Sequence, residues 1–95
     1  MAAVVYEDFE WDDAKAEANE RKHGVTFEEA TTALVDARAI EAPDHDHDNR
    51  FVTIGMSAFL RVLFVVHTEQ ARGGRIRIIS ARKAAPAQRR VYEEG

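Results

Sequence analysis

The chain predicts an α+β fold: a mainly antiparallel sheet with two N-terminal helices and one C-terminal helix, in the order β-α-α-β-β-β-β-α. Three observations carry this. Two helical stretches, each with its own start residue, fill the region from Asp12 to Ala37. Past Ala37 the apolar pattern changes to period two and persists through four segments. Pro86 then sits where the first turn of a last helix can accept it. Strands and helices are therefore segregated along the chain, unlike alternating βαβ units. The 95 residues allow one domain, 1–95, with one modest core.

Each element has a local reason. "VVYEDFEW" is β-rich with alternating apolar positions and reads as the first strand. Asp12 can cap the helix "DAKAEANERKH", with Trp11 and Ala16 spaced as a hydrophobic staple. Gly24 can stop that helix, and its basic "RKH" end suits the negative pole of the dipole. "TFEE" is a capping box in which Thr26 caps and Glu29 reaches back, with Val25 and Ala30 as a second staple. Phe27, Ala30, Thr31 and Leu34 share one face of this second helix. "RAIEA" is a short strand ended by Pro43, and "RFVTIGMS" is the next strand. "LRVLFVVHT" is nearly continuously apolar, as in a central strand covered on both faces. "EQARGG" is a turn, "RIRIISA" an alternating strand, and "PAQRRVYEE" the closing helix.

Composition removes several function classes. There are no cysteines, which excludes disulfides, thiolate zinc sites and a cysteine nucleophile. No signal-like start and no apolar run of membrane-spanning length is present, so the expectation is a cytoplasmic protein with no membrane partner. The net charge of −4 hides an asymmetry. Residues 1–50 hold 14 Asp+Glu against 5 Lys+Arg, and residues 51–95 hold 3 against 8. Overall acidity argues against indiscriminate DNA coating, while the arginine-rich second half can present a local phosphate-binding field. A solvated, salt-bridged face is the plainer reading of the same charges.

"DHDHDN" (44–49) has the composition of a metal site. In extended chain, however, His45 and His47 point one way and Asp44, Asp46 and Asp48 the other. Convergent ligands with a supporting shell are not supplied by such a segment. It reads as a solvated hairpin loop between two strands.

The ordered motifs "FEWDDAKAEANERKHGVTFEEA", "RFVTIGMS", "LFVVHTE" and "RIRIISARKA…RRVYEE" resemble the BrnT family, ribonuclease toxins of type II toxin–antitoxin modules. The likeness runs from about Phe9 to Glu94. It implies a RelE-like fold, translation inhibition by RNA cleavage, and neutralisation by a BrnA-type antitoxin. The toxin–antitoxin hetero-oligomer would bind its own operator DNA through the antitoxin. One departure is visible: Gln88 stands where the family resemblance implies an acidic residue before the paired arginines. A required acidic base would then be missing, whereas an arginine-orienting acid could be replaced by the amide.

Metal-independent RNA cleavage needs a base for the 2′-hydroxyl, cations for the phosphate and an acid for the leaving 5′-oxygen, and no cofactor. Arg77, Arg82 and Lys83 are the candidate cations, converging at a strand–helix junction; coating an exposed face is the other reading of the strand arginines. His67 is a candidate base or a core-edge histidine bonded to backbone, and Glu69 an alternative base or arginine orienter. Lys22 and His23 project into a cleft or simply complement the helix dipole. Tyr92 stacks on a base or donates a proton, or packs its ring on the sheet. A non-catalytic RNA- or protein-binding module using the arginine face is the alternative to an enzyme.

Overall fold

A computed structural model describes residues 2–68 and 74–95. Glu69 and most of the predicted "EQARGG" turn lie outside the described residues. The elements are β1 (Ala3–Tyr6), β2 (Phe9–Asp12), α1 (Asp13–His23), α2 (Phe27–Leu34), β3 (Ile40–Pro43), β4 (Arg50–Met56), β5 (Val62–Thr68), β6 (Ile76–Lys83) and α3 (Pro86–Glu94). They form one six-stranded sheet in the order β1-β2-β6-β5-β4-β3. Among the described strands only the β2–β6 pair is parallel.

The α+β prediction holds, with the opening strand folded into a hairpin. Tyr6 pairs with Phe9 and Val4 with Trp11 across a two-residue turn, where Glu7 takes φ 56°. The cause is a parity break. In one straight strand, Val4 and Tyr6 would face away from Phe9 and Trp11; the turn brings all four onto one face. Tyr6 then meets Trp11 at 5.9 Å between ring centroids, and Trp11 meets Phe27 edge-on at 5.8 Å.

Both N-terminal helices form with the predicted caps. Asp12 accepts from Lys15 N, and Gly24 takes φ 69° while its N–H bonds Glu20 O. Thr26 accepts from Glu29 N, but the return half of the capping box is absent. The Glu29 carboxylate turns away to Arg61 and Ser57, because two guanidinium nitrogens and a hydroxyl outbid one backbone N–H.

α1 and α2 cover one face of the sheet. The core between them holds Phe9, Trp11, Val25, Phe27, Ala30, Ala33, Leu63, Val65, Ile78 and Ala81. Gly55 of β4 lets α2 approach closely: any Cβ there would collide with the Ala33 carbonyl. α1 buries a single residue, Asn19. Its amide donates to Ala81 O (2.8 Å) and accepts from Ala81 N (3.1 Å). β2 pairs with β6 only at Ile76 and Arg77, so beyond that point the Asn19 amide replaces a strand along β6.

The opposite face is only partly covered. α3 packs there against β4 and β5. Hence β5 is not shielded on both faces as its composition suggested. Leu63, Val65 and His67 are buried under the helices, whereas Phe64 and Val66 on the other face are half-buried. β6 carries a second parity break. A register shift between Val66 and His67 leaves Ile79 without an opposite residue.

Candidate functional site

Four chain segments meet at one end of the sheet. Asn19 holds α1 on Ala81, two residues before β6 ends at Lys83. At the end of α1, Gly24 O accepts from Arg61, which leads into β5 (2.8 Å). Ala84 N bonds Val62 O, so the exit of β6 lies beside the entry of β5, and α3 begins two residues later. This junction carries Lys22, His23, Arg82, Lys83, Arg89 and Arg90. Lys22, Lys83, Arg89 and Arg90 are exposed, and no ion pair among the described residues involves them. His23 is half-buried. The C-terminal pole of α1 favours the positive charge of Lys22, which offsets some of the repulsion within the group.

Arg82 is the most constrained of these cations. Its guanidinium lies 4.3 Å over the Phe64 ring and donates to Gln88 Oε1 and to Lys83 O, each at 3.1 Å. Gln88 Oε1 also accepts from Ala85 N at 2.9 Å. The amide at 88 therefore does what an arginine-orienting acid would do, and it closes the N-terminus of α3 as well.

The other sequence candidates go elsewhere. The register shift in β6 puts Arg77 and Arg82 on the same open face, although an odd separation would ordinarily place them on opposite faces. They are still roughly 15 Å apart along the strand, and Arg77 is paired with Glu10 at 3.1 Å. Lys83 belongs to the other face, opposite Leu63, so the three cations do not converge at one point. Arg75 precedes β6 and is exposed.

His67 is 2% exposed beneath the helical face. Thr68 O can only accept, so the 2.8 Å contact places the ring proton on Nδ1 in the neutral form. Nε2 then accepts from the Thr53 hydroxyl at 2.7 Å, with Glu41 Oε2 3.8 Å away. The ring stacks on Phe51 at 6.3 Å. The Tyr92 hydroxyl donates to Asp36 Oδ2, which also accepts from Met56 N. That bond, first among several, holds the Asp36 carboxyl below the usual carboxylate range and raises the Tyr92 phenol. Both groups tie elements together.

Comparison with known proteins decides the family. A family model described as the ribonuclease toxin, BrnT, of type II toxin–antitoxin systems matches residues 11–87. The chain belongs to the BrnT family. It is also similar to the crystal structure of the Brucella abortus ribonuclease toxin BrnT, with 26% identity and a TM-score of 0.64. The match covers 79% of this chain and 92% of that one. No curated protein matches.

The BrnT match begins at Trp11, so β1 and its turn lie before it, while α1 and the whole β4–β6 hairpin array lie within it. Three residues organise this region in ways the sequence did not announce. Asn19 had one signal, a lone amide among charged residues on a helix with no apolar stripe. The Glu29–Arg61 pair had none, since 32 residues separate the partners. The "DHDHDN" segment forms the exposed β3–β4 connection. Asp44 accepts from Asp46 N and lies 3.4 Å from His47 Nδ1. Among the described residues no three His, Cys, Asp or Glu side chains form a group able to hold a metal.

Proposed function

We propose that the chain is the toxin of a type II module and a metal-independent endoribonuclease acting at the β6–α3 junction. The observation that supports this is the junction itself: unpaired cations and one titratable ring, held by Asn19 and Gln88, in a BrnT-family chain. Lys83, on the same side of the sheet as α1, stabilises the charge that builds on the scissile phosphate, and Arg82, on the open face of the same strand end, holds an adjoining phosphate. His23 takes the proton of the 2′-hydroxyl as that oxygen attacks phosphorus. The P–O5′ bond breaks, and an ammonium, Lys22 or Lys83, gives its proton to the departing oxygen. Arg89 and Arg90 hold flanking phosphates. In this reading His67, Arg77 and Tyr92 maintain the scaffold.

The test is cleavage of RNA by the purified chain in EDTA. His23→Gln and the pair Arg82→Ala, Lys83→Ala should each lower the rate by about 10²-fold or more with the fold intact. Cleavage that stops in EDTA and returns with a divalent ion would refute the metal-free mechanism. Unchanged turnover in folded His23→Gln would move the centre elsewhere. A BrnA-type antitoxin is the proposed neutralising partner in the cytoplasm, in a hetero-oligomer that binds operator DNA through the antitoxin. Light scattering on the co-expressed pair measures that complex.

A further inference from the structure

The β4–β5 connection, residues 57–61, is short, polar in its anchoring and apolar at its tip. Five hydrogen bonds fix it. Ser57 Oγ donates to Glu29 Oε2 (2.7 Å), Ala58 N to Thr32 Oγ1 (2.8 Å), and Phe59 N to Ser57 Oγ (3.2 Å). Ser57 N bonds Arg61 O and Leu60 N bonds Ser57 O, each at 2.9 Å. What this scaffold presents is Phe59, 72% exposed, and Leu60, 80% exposed.

Leu60 also holds φ 65°. A bulky L-residue in the left-handed region costs about 1–2 kcal/mol, and with the residue this exposed, packing inside the protein recovers little of it. Glycine would fit the backbone without that cost. A strained, solvent-facing leucine on an ordered turn is therefore placed for something outside the chain.

The apolar surface continues past the tip. Thr32 anchors Ala58, and Val35, 69% exposed, follows one turn later beside α2. Met56, 36% exposed, is fixed there by Asp36. On the other side, Arg61 binds Gly24 O and so brings Lys22, His23 and Lys83 next to the tip.

We infer that Phe59 and Leu60 are preorganised anchors for the antitoxin, with Val35 and Met56 extending the surface. The occupant is a segment carrying apolar side chains for the tip and carboxylates for the neighbouring cations. Charge selects it. A second copy of this chain would bring like cations face to face, and three of the four apolar side chains have no π-face for a base. Rigid anchors bind without an ordering cost, which suits a tight partner. Covering the tip would also place acidic groups over the proposed cleavage site, so the inference rests on the toxin reading.

The experiment uses the antitoxin encoded beside the chain, purified from the co-expressed complex, and the variant Phe59→Ser with Leu60→Gly. Circular dichroism melting confirms the fold, and Phe59→Ser alone serves as the second variant. The expected result is affinity about 10- to 30-fold weaker, with RNA cleavage by the free toxin within about twofold of the unaltered chain. Unchanged affinity overturns the inference. So does a fall in cleavage in the folded variant, which would give the tip to RNA. Absence of cleavage by the unaltered chain would sink the ribonuclease reading instead, and the affinity comparison would still decide this one.

Discussion

Replacing Arg61 with methionine strips Glu29 of a guanidinium that it holds with both oxygens. The pair is bidentate, Nε to Oε2 at 2.7 Å and a terminal nitrogen to Oε1 at 2.6 Å, and a further Arg61 bond to Gly24 O is lost. The Glu29 side chain is 2% exposed, so its charge cannot simply turn to water. Breaking a buried pair on one side costs about 3–5 kcal/mol. Arg61 is itself 31% exposed, so water enters partly where it stood, and the lower end, about 3 kcal/mol, applies. For a domain of this size that is a fall in Tm of roughly 12–24 °C. Removing both charges, Glu29→Met with Arg61→Met, should recover most of the loss, since the stranded carboxylate is then gone. The pH dependence follows from the same contact. The Arg61 guanidinium, before any other cause, holds the Glu29 carboxyl below its usual value of 4.5. A depressed acid contributes stability that is full above the usual value and is lost as pH falls through the folded one. Urea unfolding should therefore show a steeper acid limb in the unaltered chain than in Arg61→Met. A single-variant loss under about 1 kcal/mol, or a double variant as weak as the sum of the singles, would refute the argument that the pair acts as one buried unit.

Tyr92→Phe should cost about 1.5 kcal/mol by calorimetry, the worth of a hydrogen bond to a charged group, and leave RNA cleavage unchanged. A large loss of turnover in the folded variant would return Tyr92 to the chemistry. His67→Phe leaves the Thr53 hydroxyl and Thr68 carbonyl unpaired under the helices and should cost about 2–3 kcal/mol in urea, again with turnover intact in the folded fraction. Gly55→Ala pushes a methyl into the Ala33 carbonyl and should destabilise by about 1–3 kcal/mol in thermal melts; a neutral result would mean that α2 moves away freely. Combined His45→Ala and His47→Ala should leave both cleavage and Tm within error.

Helix ends were legible because their causes are local. Asp12, Gly24, Thr26 and Pro86 each act within four residues of their partners, and each acts as its position suggests. Strand content was legible for the same reason. What failed was parity. Val4 and Tyr6 are even, Phe9 and Trp11 odd; Ile76 and Ile78 are even, Ala81 odd. Each switch was visible in print as an apolar pattern that slips by one. In the first case the chain turns at Glu7–Asp8, and in the second it leaves Ile79 unpaired. A slip of one residue is a turn or a bulge, because a straight strand would expose half of its apolar set.

The proposed site depends on those same slips, which is why its residue types could be read from the sequence and its layout could not. Without the unpaired Ile79, Arg82 would face the helices and could reach neither Phe64 nor Gln88. Asn19, standing in for a strand, works with the Arg61 bond to Gly24 O to hold Lys22 and His23 at the end of β6. Histidines show the limit of residue type most sharply. Four are present, and burial sorts them: His67 is sealed between Thr53 and Thr68, His45 and His47 sit on an exposed loop, and His23 alone stands among unpaired cations. Chemistry at a histidine requires both access and a charged neighbour for the phosphate, and among the described residues the junction of α1, β6 and α3, where we place the cleavage site, supplies the two together.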